Sequence, residues 1–174
     1  MKNSSKKIYA FIDSQNLNLE IQRLEWKIDF KRFFIYLKDK YKIQKAFLFI
    51  GYISKYKKLY NFLEKCGYNL IFKETVKDKN GKTKGNVDAE LVLHCAKIEY
   101  ENYDQAIIVT NDGDFKCLVQ YLLENNKFLI LLAPNIKKCS TLLKKILFNK
   151  EYISFLNKLK FKLELKNPDQ NRDF

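Results

Sequence analysis

Gln105-Ala-Ile-Ile-Val-Thr-Asn-Asp-Gly-Asp-Phe115 decides the fold. Residues 106–109 form a short apolar run in which Ile107, Ile108 and Val109 are β-branched, the pattern of a strand buried on both faces of a parallel sheet. Asn111-Asp112-Gly113-Asp114 is a turn-forming cluster. The spacing of Phe115, Leu118, Val119 and Leu122 then predicts a helix to about Glu124. Strand, acidic turn and helix N-terminus in succession place two carboxylates at the C-terminal edge of a sheet, where open α/β folds bind their ligands.

On both sides of this stretch short apolar runs alternate with helical patterns. Residues 7–12 read as a first strand that also ends in an acid, Asp13, and the helix after it carries Leu17, Ile21 and Leu24 on one face. Asp29 is placed to cap a second helix whose buried stripe is Phe33, Phe34 and Leu37. Residues 45–51 are the second strand, and 52–60 lead into a helix that stops at Gly67. A third strand follows over 69–76, then a tight turn over 78–81, with 79–84 forming a basic, mobile loop. Residues 85–98 read as one helix with Asp88 in its first turn. After the opening stretch come a fifth strand over 127–133, a helix starting at Ser140, one more helix over 152–165 and a disordered polar tail over 166–174. Such alternation implies right-handed crossovers in a three-layer α/β sandwich, with a parallel sheet of expected order 3-2-1-4-5.

The chain of 174 residues is long enough for one well-filled core, expected over residues 1–165. No apolar run approaches the ~20 residues of a membrane span, and the N-terminus has no apolar signal-peptide region. Cys66, Cys95, Cys117 and Cys139 are scattered within apolar patterns and make no C-x-x-C pair, which fits buried free thiols in a reducing cytoplasm. The 33 Lys and Arg against 20 Asp and Glu leave a net charge of +13. That excess favours polyanions through phosphate contacts and counterion release; a merely solvated basic surface is the competing explanation.

Topology turns the scattered acids into one site. Every crossover helix begins at the C-terminal edge of the sheet, so Asp13, Asp88, Asp112 and Asp114 all belong there. In the expected order the first and fourth strands are neighbours, roughly 4.8 Å apart, and their tips form the switch-point crevice. Each acid taken singly is explained by capping or by the helix dipole. Four on one edge repel one another unless a cation intervenes, and oxygen ligands suit Mg²⁺ or Mn²⁺. An ion of this kind polarises a phosphodiester and activates water.

Phe11-Ile-Asp-Ser-Gln-Asn-Leu17, Lys84-Gly-Asn-Val-Asp-Ala-Glu-Leu91 and Tyr103-Asp-Gln-Ala-Ile-Ile-Val-Thr-Asn-Asp-Gly-Asp-Phe115 together resemble the NYN domain family of the PIN-like nuclease superfamily, and most of all its bacterial LabA-like branch. The resemblance covers roughly residues 7–135 in the right order. It implies a PIN-like Rossmannoid sheet and a metal-dependent nuclease, most often acting on RNA. Asp13, Asp88, Asp112 and Asp114 become its metal-site and catalytic acids, and Asn16 a polar residue at the site rim. Two positions depart from the pattern: His94 stands nearest to a further Asp of many relatives, and Asn111 where a Gly commonly precedes Asp-Gly-Asp. His94 reads better as a packed residue than as a catalytic base, and Glu90 as a solvated acid near the site.

Ser54-Lys-Tyr-Lys-Lys-Leu-Tyr60 starts its helix at the same edge and interleaves cations with rings, a pattern suited to single-stranded RNA. Lys55, Tyr56, Lys57 and Lys58 are therefore expected to bind substrate, with Lys73 and Lys84 on the opposite wall; an ordinary Lys/Tyr-rich helix explains the stretch equally well. The expected protein is a Mg²⁺- or Mn²⁺-dependent endoribonuclease, soluble and cytoplasmic, with a homodimer left open. Its competitor keeps the fold as a nucleic-acid-binding or regulatory module of little or no activity.

Overall fold

The computed structural model describes residues 6–73, 76–77, 83–84 and 87–166. Its frame is a six-stranded parallel sheet built from β1 (Ile8–Asp13), β2 (Lys45–Gly51), β3 (Tyr68–Lys73), β6 (Gln105–Val109), β7 (Phe128–Ala133) and β8 (Ile153–Phe155). The order is β3-β2-β1-β6-β7-β8, and β4 (Val76–Lys77) and β5 (Thr83–Lys84) pair separately as a two-stranded antiparallel ribbon. Counting the large sheet alone, the order is 3-2-1-4-5-6, so the expected arrangement holds with one strand added. The central strands read as unbroken apolar runs because each is covered on both sides.

The two faces bury separate cores. One packs Ala10, Ile12, Leu48 and Val109 against α1 (Ser14–Gln22), α2 (Phe30–Tyr41) and α3 (Lys57–Cys66), through residues such as Leu17, Phe33 and Leu63. The other packs Phe11, Phe49 and Ile108 against α4 (Asp88–Leu93), α5 (Lys116–Glu124) and α6 (Thr141–Ile146), through Leu91, Leu118 and Leu143. Local chemistry sets the helix ends. Asp29 caps α2 by accepting from the Arg32 N–H at 3.1 Å. Gly67 ends α3 at φ 108°, where a Cβ would also strike the Phe34 ring.

Four sequence expectations are corrected. The helix expected over 152–165 is instead β8, a 3₁₀ turn over Leu156–Leu159 and the one-turn α7 (Lys160–Leu163). Ile153, Ser154 and Phe155 pair with Leu131, Leu132 and Ala133, closing an edge of β7 that would otherwise lie open. The third strand ends at Lys73, and Val76–Lys77 turns away to pair with Thr83–Lys84. Within the supposedly mobile 79–84 loop, Thr83 and Lys84 are thus in a strand; residues 78–82 lie outside the described residues, as does the expected tail from 167 onward. The helix expected over 85–98 starts at Asp88 and widens into a π-turn over His94–Ile98. The Cys95 carbonyl accepts from the Tyr103 hydroxyl at 2.7 Å, and the Glu99 N–H bonds the His94 carbonyl at 2.8 Å, one residue further back than in an α-helix. Finally, all four cysteines are free, but Cys117 is exposed and Cys66 half-buried, and only Cys95 and Cys139 are buried. No helix among the described residues is long and apolar enough to cross a membrane.

Candidate metal centre and nucleic-acid edge

Asp13 is the last residue of β1, and its neighbour Ile12 lies in register with Val109 of β6, so the two strand tips carrying acids are side by side. Its Oδ1 accepts from the Asn16 N–H at 3.1 Å, capping α1, and its Oδ2 accepts from the Thr110 hydroxyl at 3.3 Å. Burial pushes the Asp13 carboxyl up to about 6, helped by the negative charges of Asp88 and Asp112, while the Asn16 and Thr110 hydrogen bonds hold it back. Thr110 works in both directions, since its hydroxyl oxygen also accepts from the Asp112 N–H at 3.1 Å.

Asp88, in the first turn of α4, reaches the same edge from the opposite face of the sheet. Asp112 precedes the 3₁₀ turn Gly113–Phe115, and its Oδ1 accepts from the Asp114 N–H at 2.9 Å. Gly113 is required by close approach: a Cβ there would meet the Ser140 Oγ and stand 3.2 Å from the Ser140 Cβ. Carboxylate oxygens of Asp88, Asp112 and Asp114 lie within 4.8 Å of one another, and Asp13 is not one of this group. Asp13 instead lines a cavity of about 220 Å³ with Asp88 and Asp112, beside Asn16, Gln15, Leu19 and Val87. Three carboxylate oxygens converging this closely fit a hard divalent cation at ~2.1 Å per ligand bond. The chain thus brings together all four sequence-predicted acids, with Asp88 and Asp112 common to the triad and to the cavity.

A buried polar network, invisible to motif reading, fixes this geometry. Asn16 Oδ1 accepts from the Asn111 N–H at 2.8 Å, the Asn111 carbonyl accepts from the Ser140 N–H at 3.0 Å, and Asn111 Oδ1 accepts from the Asn135 N–H at 3.4 Å. Asn135 Nδ2 in turn donates to Glu20 Oε2 at 3.4 Å, and Arg23 closes the chain on the other Glu20 oxygen. Asn111 at the Gly-like position is therefore a brace joining the first turn of α1 to the loops after β6 and β7. One signal was available: Glu20 stands three residues after Leu17 and four before Leu24, on the apolar stripe of α1. Asn16→Ala leaves the Asn111 N–H without its partner. It is expected to cost about 1–3 kcal/mol in chemical denaturation; an unchanged midpoint would deny the brace.

The other expected site residues are more dispersed. Lys55, Lys57 and Lys58 are exposed at the start of α3, and Lys73 is half-buried at the end of β3. Tyr56 is half-buried against the core, with the Lys55 ammonium 4.8 Å from its ring centre. The Lys84 side chain lies outside the described residues. Glu90 is half-buried in the first turn of α4. His94 packs its ring against Phe49 at 5.5 Å and Phe47 at 6.4 Å, with Nδ1 buried and unpaired. That is the packed residue the sequence suggests.

A doubly wound parallel sheet with carboxylates clustered at its switch point defines the class of protein. The NYN domain model matches residues 7–147, and the chain belongs to that family. Among solved structures it is similar to VPA0982 from Vibrio parahaemolyticus RIMD 2210633, a protein of unknown function, with a TM-score of 0.74 and 19% sequence identity over 95% of this chain and 99% of that one. At that identity the likeness speaks for the fold alone. No curated protein matches the chain.

Proposed function

We propose that this NYN protein is a metal-dependent ribonuclease that hydrolyses RNA phosphodiester bonds at the edge formed by Asp13, Asp88, Asp112 and Asp114. The observation that carries the reading is the convergence of Asp88, Asp112 and Asp114 within 4.8 Å beside a cavity that Asp13 also lines. Family membership supports it, since NYN domains are generally nucleases. The motif segments around Asp13, Asp88 and Asp112 favour the LabA-like branch, and four unpaired thiols fit the cytoplasm.

Asp88, Asp112 and Asp114 would hold Mg²⁺ or Mn²⁺, which when bound supplies Lewis-acid polarisation and an activated water. Asp13, buried and drawn toward protonation near pH 6, can accept or release a proton beside the cavity. Thr110 keeps Asp13 and Asp112 in a fixed relation, and Asn16 holds the Asp112 loop in place. Lys55, Lys57, Lys58 and Lys73 neutralise phosphates at the same edge, and Lys84, on β5, is a further candidate for that role.

Labelled single-stranded RNA incubated with Mn²⁺ or Mg²⁺, against EDTA, tests the reading; full-length RNA at the end of a Mn²⁺ time course with folded protein overturns it. Changing Lys55, Lys57 and Lys58 together to Ala is expected to weaken RNA binding and to flatten the slope of log K against log salt by roughly 0.7 for each phosphate no longer neutralised. An unaltered slope would move the binding surface elsewhere. The competing reading, a regulatory module of little activity, is favoured by one observation. His94 is packed against two phenylalanine rings of β2, near the position where many relatives carry a further acid.

A further inference from the structure

Beside the expected binding stretch lies a set of rings that the acidic site does not use. Tyr52 follows β2, and its N–H bonds the Lys73 carbonyl at 2.9 Å, prolonging the β2–β3 pairing past Gly51. Phe72 lies in register with Ile50, one residue before the end of β3. Tyr60, from α3, supports both: its ring centre is 4.8 Å from that of Phe72 and 5.7 Å from that of Tyr52. Tyr60 is anchored, because its hydroxyl accepts from the Ile53 N–H at 2.8 Å and lies 3.3 Å from the Gly51 carbonyl. Tyr52 and Phe72 meet at 5.5 Å with an interplanar angle of 89°. On this rigid base Tyr52 is 39% and Phe72 41% exposed. Sheet edges are usually blunted with charge rather than capped with aromatic surface.

We propose that Tyr52 and Phe72 form a stacking seat for bases of a single-stranded nucleic acid. Charge selects this occupant. Of the six lysines in residues 45–73, Lys55, Lys57, Lys58 and Lys73 stand at the end of the sheet that carries the seat, whereas Lys45 opens β2 and Lys65 ends α3 beside Glu64, the one acid of the segment. Exposed rings set among cations complement a chain that carries both π-faces and phosphates. Position agrees with this. β3 is two strands from β1, so the seat lies about 10 Å from the Asp13 strand tip along the same edge. A strand a few nucleotides long spans that distance. Stacking requires unpaired bases, so the seat selects single strands over duplex. The inference rests on the nucleic-acid reading given above, but it concerns binding rather than cleavage.

The test measures binding of a fluorescein-labelled oligo(A) of about ten nucleotides, in EDTA and across a salt series, to the wild type and to Tyr52→Leu/Phe72→Leu. The double variant is expected to lose about tenfold or more in affinity. Its salt slope should be unaltered, because neither ring carries charge, and its binding of a duplex of equal length should match the wild type. Tyr52→Trp gives an independent readout: oligo(A) should quench the emission of the introduced indole over the constant background of Trp26, the only native tryptophan and a buried one. Equal oligo(A) affinity in the double variant overturns the seat, as does a proportional loss of duplex binding. Emission of the Tyr52→Trp protein that is indifferent to saturating oligo(A) does the same, and it decides the matter if the double variant fails to fold. Capture by phosphatidylserine vesicles in preference to oligo(A) would overturn the seat and assign the patch to a membrane surface. Ring-dependent binding with RNA left intact in Mn²⁺ keeps the seat and removes the nuclease, whereas cleavage with ring-independent binding does the reverse.

Discussion

Asp112→Asn is expected to abolish RNA turnover while leaving the metal-free protein as stable as the wild type, or more so. The substitution keeps the Oδ1 that accepts from the Asp114 N–H, so the turn after β6 is preserved. It removes one of three carboxylates crowded within 4.8 Å, and with it part of their mutual repulsion. The loss of turnover should exceed the roughly 10–100-fold that outer-shell changes cost at metal sites. Mn²⁺ at about 100 times its dissociation constant should stabilise the wild type by about 2.7 kcal/mol and the variant hardly at all. Thermal melts of both proteins in EDTA and through a Mn²⁺ titration separate this from a purely structural Asp112. In that case the variant melts several degrees lower in EDTA, about 1 kcal/mol for a lost cap, and neither midpoint responds to Mn²⁺.

The metal-free protein should lose stability as pH rises through the Asp13 titration. Its carboxyl sits at about 6 in the folded chain against an ordinary value of 3.8, so between those limits the folded state binds more protons than the unfolded one. Stability from this group is therefore fully present below about pH 4 and is lost as pH passes 6. The shift corresponds to on the order of 3 kcal/mol for this buried group. Asp13→Asn removes the titration but retains a side-chain oxygen able to cap α1. Urea denaturation in EDTA at pH 5 and pH 7.5 should show the wild type losing more stability than Asp13→Asn over that interval. Parallel losses in the two proteins would mean that Asp13 is ionised throughout. Mn²⁺ should flatten the wild-type dependence, because a nearby cation favours the ionised carboxylate.

Local chemistry was legible wherever it was decided by neighbours in sequence. Asp29 capping α2, Gly67 ending α3, Ser140 capping α6 and the acidic turn after β6 follow from side-chain reach and backbone preference over a few residues. The handedness of parallel crossovers then carried that information across the molecule, since it places every helix start at one edge of the sheet. For this reason periodicity and turn chemistry sufficed to assign Asp13, Asp88, Asp112 and Asp114 to one region.

Contacts between segments far apart in sequence were decided only in three dimensions. Residues 153–155 have no strong periodicity of their own and become a strand because the edge of β7 needs a partner. The π-turn at His94 exists because Tyr103, eight residues after Cys95, takes the Cys95 carbonyl. Glu20 and Asn135 meet across 115 positions to steady the Asp112 loop. Even within the acid cluster, topology could bring four carboxylates to one edge but could not say which of them converge. Side-chain direction made that choice, joining exposed Asp114 to Asp88 and Asp112 and turning buried Asp13 into the cap of α1. Sequence by itself determined which residues stand at the edge, because strand periodicity and crossover handedness are local rules repeated along the chain. Tertiary structure decided which of them touch, because angstrom-scale convergence depends on packing that no local rule specifies.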